Sequence, residues 1–81
     1  MRVTVKLFAR LRDIVGCAEM VRELGDDATV RTVWTALARE WPELASDERS
    51  ISTAVNADYA RMTHPLADGD EVAFLPPVSG G

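Results

Sequence analysis

The sequence predicts an α+β fold of two layers, a mixed sheet of four to five strands wrapped on one long helix, with a short helix beside it. Three observations carry this. Residues 2–8, RVTVKLF, alternate apolar and polar side chains, and residues 71–75, EVAFL, do the same near the other end of the chain. Between them, Val30, Val33, Trp34, Leu37 and Trp41 fall on one narrow stripe at helical spacing. A single amphipathic helix covers only one face of a sheet, so the domain has two layers and its other sheet face stays partly open, as antiparallel-rich sheets tolerate.

In chain order, the first strand turns Val3, Val5 and Leu7 toward the core and Arg2, Thr4, Lys6 and Phe8 away from it. Phe8 therefore has the parity of the polar face. In ARLRDIVG, Leu11, Ile14 and Val15 keep helical spacing and Gly16 supplies a left-handed stop, which gives a short helix of about two turns. Residues 18–24, AEMVREL, are extended and charged on both faces, as suits an edge strand guarded against further pairing. GDDA (25–28) is a turn. Thr29 caps the long helix, Pro42 terminates it, and its two tryptophans supply much of the core volume of so small a domain.

ELASDERS (43–50) is a polar connection with room for one helical turn, and ISTAVN (51–56) returns to strand alternation. ADYARMTHPLADGD has turn chemistry at both ends and a short strand around Tyr59 to Met62. The last strand points Val72 and Phe74 inward and Ala73 and Leu75 outward. Pro76 and Pro77 then end the ladder, because neither can donate a backbone hydrogen bond. The domain is accordingly placed at residues 1–75, with residues 76–81 as a flexible tail. The arrangement is that of a β-grasp, a mixed sheet curled around the long helix.

Eighty-one residues suffice for one core, and 47% hydrophobic with 27% charged residues is ordinary globular composition. A net charge of -4 with no basic stripe argues against nucleic acid as a partner and fits solubility or docking to a basic protein surface. Cys17 is the lone cysteine, so neither an internal disulfide nor a multi-cysteine metal site is available, which suits a reducing compartment. No apolar leader of signal-peptide type and no bilayer-length stretch is present. A cytoplasmic location without a membrane partner is the expectation.

The body of the domain offers little chemistry. His64 is the lone histidine and precedes Pro65 in a turn, without a residue to orient it for proton transfer or to share a metal. Cys17 follows the helix-stopping Gly16 and reads as an incidental small residue. ADGDE (67–71) clusters Asp68, Asp70 and Glu71, but it is too short for a calcium loop of ~12 residues, and DG before a strand signals a tight turn. No glycine-rich phosphate loop precedes a helix. Phe8 and Leu75, both of outward parity near the ends of their strands, would form an apolar docking patch with Tyr59 if those strands are neighbours.

The tail is different. With glycine near 7% of residues, a Gly-Gly ending arises by chance in roughly one chain in 200. Pro76 and Pro77 project the chain in a stiff, extended form, and Gly80 and Gly81 are thin enough to enter a slot closed to any residue with a Cβ. The last group is a carboxylate, inert until ATP converts it to an acyl-adenylate that a sulfur or nitrogen nucleophile can attack.

FARLRDIVG near the start and HPLADGDEVAFLPPVSGG at the end resemble the family of molybdopterin synthase small subunits, ubiquitin-like sulfur carriers that share the β-grasp fold. The likeness spans nearly the whole chain and is most specific over residues 64–81. It implies that the Gly81 carboxylate is adenylated by an adenylyltransferase related to the ubiquitin-activating enzymes, with ATP and Mg, and converted by a sulfur donor to a thiocarboxylate. Pro76, Pro77, Val78, Ser79 and Gly80 would form the passage into the large synthase subunit, in a heterotetramer, where sulfur goes to cyclic pyranopterin monophosphate for the dithiolene of molybdopterin. Phe8 and Leu75 match the family's hydrophobic contact positions, and Tyr59 stands where the family has an aliphatic residue. By the same resemblance the chain binds no cofactor or metal itself and supplies no catalytic side chain. The alternatives are a sulfur carrier for thiamine or cysteine synthesis, a ubiquitin-like modifier joined to lysines, and an interaction domain with an inert tail.

Overall fold

Strands β1 (Arg2–Leu7), β2 (Glu19–Glu23), β3 (Ser52–Val55), β4 (Asp58–Tyr59) and β5 (Glu71–Leu75) form one mixed sheet in the order β2-β1-β5-β3-β4 in the computed structural model, which describes residues 1–77. The β1–β5 pair is parallel, with Val5 opposite Val72 and Leu7 opposite Phe74. The remaining pairs are antiparallel. The alternation read from the sequence produces this core directly: Val3, Val5, Leu7, Val72 and Phe74 all lie buried on one face of the two central strands. The charged edge strand read at residues 18–24 is β2, at the rim of the sheet.

Helix α2 (Val30–Glu40) crosses that face and buries Val30, Val33, Trp34 and Leu37. At its start the Thr32 hydroxyl accepts the Thr29 backbone N–H at 3.0 Å, half of a capping box in which threonine replaces the usual Glu or Gln. Two further orphan N–H groups, of Val30 and Arg31, donate to the carbonyls of His64 and Met62 at 3.0 and 2.9 Å. The Trp34 ring lies 5.2 Å from that of Phe74, tilted by 48°, and its indole N–H donates to Glu48 at 3.0 Å. This large side chain is thereby buried with its polar atom satisfied.

The helix ends one residue short of the predicted stripe. Trp41 is its C-cap, half-buried and outside the helical region at φ -129°, ψ 84°. Pro42 is the cause, since a proline ring disfavours the α conformation in the residue before it. The core volume therefore rests on Trp34 rather than on both tryptophans.

The short helix α1 (Ala9–Val15) stops at Gly16, which has φ 91°. Of its predicted apolar face Leu11 is fully buried, while Ile14 and Val15 lie at the rim. The polar connection holds a six-residue 3₁₀ segment, Pro42–Asp47, that buries Leu44. The short strand predicted around Tyr59 to Met62 lies earlier, at Asp58–Tyr59. Asn56 and Ala57, with φ of 51° and 72°, make a two-residue hairpin loop that pairs Val55 with Asp58. No helix among the described residues is long and apolar enough to cross a membrane.

Candidate functional site

Strand parity and register together place a row of side chains on the face of the sheet away from α2. The registers set Lys6 opposite Ala73, Ala73 opposite Ala54, and Ala54 opposite Tyr59. Leu75 lies one outward position along β5, opposite Ser52. Phe8 follows β1 in an extended conformation (φ -127°, ψ 152°) before α1 begins, so it keeps the strand's outward parity and is 42% exposed. Tyr59 is 85% exposed, and Leu75 is half-buried.

These residues line a groove of about 300 Å³, with Phe8, Leu75 and Tyr59 as its large apolar walls and Ala54, Ala57 and Ala73 between them. Lys6 and Glu71 complete it, their charged groups 3.3 Å apart, and Glu19 stands 3.9 Å from the same ammonium. The groove is an apolar trough edged by a short chain of ion pairs. The three residues read from the sequence as a patch thus border one groove. Lys6, Glu71 and the three alanines were not singled out: parity puts Lys6 on the side of Phe8, and Glu71 and Ala73 on that of Leu75, but the strand registers are what bring them into one groove.

The groove stands beside the base of the tail. Pro76 is half-buried and Pro77 exposed, directly after β5. Val78, Ser79, Gly80 and Gly81 lie outside the described residues.

Elsewhere the polar clusters have structural work. Asp70 accepts the Ala67 backbone N–H at 2.8 Å and the Asn56 amide at 3.0 Å, and these bonds hold its carboxyl below the ordinary value. Asp68 accepts the Arg2 N–H at 2.7 Å, and Gly69 takes φ 87° in the turn. The ADGDE segment is therefore a turn that ties the start of β1 to the β3–β4 hairpin. His64 is exposed and contributes a carbonyl to the start of α2, and Cys17 is exposed. Among the described residues no cluster of three His, Cys, Asp or Glu is placed to hold a metal ion.

Comparison with known proteins gives a consistent set of likenesses. The ThiS family model matches residues 5–81. The chain is 37% identical to the molybdopterin synthase sulfur carrier subunit of Chlamydomonas reinhardtii, covering 100% of both chains. It is similar to the crystal structure of small archaeal modifier protein 1 from Haloferax volcanii, with a TM-score of 0.81 and 30% identity over 95% of this chain and 98% of that one. A protein–protein complex of subunits 1 and 2 of the molybdopterin-converting factor from Helicobacter pylori contains a chain matched with a TM-score of 0.68 and 26% identity, over 100% of both.

Proposed function

The chain belongs to the ThiS family and has the ubiquitin-like β-grasp fold, and on that premise we propose that it is the sulfur-carrying small subunit of molybdopterin synthase. The observation that carries the proposal is the apolar groove of Phe8, Tyr59 and Leu75, set at the point where β5 hands over to the Pro76–Pro77 arm. The groove docks the domain on a larger subunit, and the arm delivers the Gly81 carboxylate into that subunit's active site. The Chlamydomonas relative's name and the two-subunit complex from Helicobacter pylori support this reading.

The chemistry resides in the terminal carboxyl group, while the chain contributes shape. An adenylyltransferase using Mg-ATP joins a Gly81 carboxylate oxygen to the α-phosphate and releases pyrophosphate. A sulfur nucleophile then displaces AMP and leaves a thiocarboxylate. Gly80 lacks a Cβ and so passes a narrow channel, and the two prolines keep the arm extended. The thiocarboxylate sulfur is donated to cyclic pyranopterin monophosphate in the cytoplasm, with every catalytic side chain supplied by the partners.

A second reading, a protein modifier, is favoured by the likeness to the archaeal modifier protein. One experiment separates the two. The chain is incubated with its activating enzyme, ATP and a sulfur source, and its intact mass is read before and after the large subunit and pterin substrate are added. A carrier gains one sulfur in exchange for one oxygen and loses it again to the pterin. Unchanged mass sinks the carrier reading, and lysine-linked adducts establish the modifier reading instead. Deletion of Gly81 should abolish the exchange and leave the thermal midpoint unaltered.

A further inference from the structure

A second and larger groove, of about 890 Å³, opens on the other side of Tyr59. It forms because the chain leaves β4 at Tyr59, with the Ala60 N–H still donating to the Thr53 carbonyl at 2.9 Å, and then crosses to the start of α2, away from Ile51 and the start of β3. Its apolar lining includes Ile51, Ala60 and Met62, and its charged groups are Glu48 and Arg61. Tyr59 lines both grooves, so the two are one surface folded over a single exposed aromatic ring.

The two charges of this groove are not paired with each other. Glu48 is committed inward, accepting the Trp34 indole N–H at 3.0 Å and lying 3.4 Å from the Arg31 guanidinium. Arg61 makes no ion pair among the described residues, and of the basic residues without one, which also include Arg39 and Arg49, it is the one that lines this groove. On a chain of net charge -4, this leaves a guanidinium without an ion-pair partner beside an apolar trough.

We propose that the interface with the large subunit continues over Tyr59 into this groove, which takes an extended acidic segment of that subunit. An apolar side chain of the segment lies against Ile51 and Met62, and its carboxylate pairs with Arg61. Continuity with the first groove, which rests on the carrier reading above, brings the segment into place, and charge complementarity selects it. Arg61 is a specificity-determining contact of the docked state and has no role in the sulfur chemistry.

The test is calorimetric titration of the full-length chain with the large subunit, at low and at high salt, for the wild type and for Arg61→Gln, Arg61→Glu and Phe8→Ala. Arg61 is exposed, so its variants should keep the wild-type thermal midpoint. Arg61→Gln should weaken binding by about three- to tenfold at low salt and Arg61→Glu by more, both differences shrinking as salt screens the pair. Wild-type affinity in Arg61→Glu, together with a loss in Phe8→Ala, overturns the second groove and leaves the carrier reading intact. Undiminished affinity in Phe8→Ala as well removes the docking patch, and the extension falls with it. If the free chain is dimeric in light scattering and Arg61→Glu makes it monomeric, the occupant is a second copy and the proposal is wrong.

Discussion

Phe74 and Leu75 are adjacent in sequence and face opposite sides of β5, so truncating each should separate folding from docking. Phe74 is fully buried against Trp34, and its replacement by alanine should cost about 3–5 kcal/mol. A domain of this size has about 4–12 kcal/mol in total at the usual stability per residue. Phe74→Ala therefore removes a quarter or more of the stability, while Phe74→Leu, at about 1–2 kcal/mol, should remain folded enough to measure. Leu75 is half-buried, and full burial of such a side chain is worth about 1.5–3 kcal/mol, so Leu75→Ala should cost about 1 kcal/mol. That is a drop of about 4–8 °C in thermal midpoint. Affinity for the large subunit should follow the opposite order, with Leu75→Ala weakening it about tenfold, as for a residue near the centre of an interface, and Phe74→Leu hardly at all. Urea unfolding followed by tryptophan fluorescence reads the first quantity and calorimetric titration the second. A stability loss in Leu75→Ala equal to that in Phe74→Ala would refute the assignment of the two faces.

Three further outcomes are expected. Ala57 holds φ 72°, a left-handed conformation that costs an L-residue about 1–2 kcal/mol. Ala57→Gly relieves this against a smaller entropic loss, so the thermal midpoint should rise by the equivalent of about 0.5–1 kcal/mol; a fall would contradict the strain. The Asp70 carboxyl is held below its ordinary value by the Ala67 N–H first and then by Asn56, so the folded state binds fewer protons than the unfolded one. Its contribution is present above about pH 4 and is lost as pH falls through the lowered folded value. Urea midpoints from neutral to strongly acidic pH should thus fall less steeply for Asp70→Asn than for the wild type, from a lower neutral starting point. Thr32→Ala removes the acceptor of the Thr29 N–H and should lower stability by about 0.5–1 kcal/mol in the same urea assay.

The strands and the long helix were legible because each carries its own period. Val3, Val5 and Leu7 alternate, Val72 and Phe74 alternate, and Val30, Val33, Trp34 and Leu37 follow a helical stripe. What escaped were features set by a neighbour in sequence or in space. The hairpin after Val55 has Asn56–Ala57 in place of the usual glycine-bearing pair, so its two-residue loop, and with it the position of β4, had no clear signature. Trp41 fitted the stripe, but Pro42 acts one residue upstream of itself and takes Trp41 out of the helix. In the candidate site, the parities of Phe8 and Leu75 were readable, whereas the ring of Lys6, Glu71 and three alanines depended on strand registers that link residues far apart in the chain. The charge of Arg61 became informative only when the partners of the other basic residues were known.

The place of β5 makes the closing of the sheet a late event in synthesis. The sheet's two halves, β2–β1 and β3–β4, meet only through β5, and β5 is the last of the described strands to leave the ribosome. Until it inserts, each half is an isolated pair of strands, and the pairing that closes the sheet joins residues as distant as Val5 and Val72. The same strand leads into the arm. A chain cut short before Leu75 therefore lacks the seam of its sheet as well as everything that follows β5.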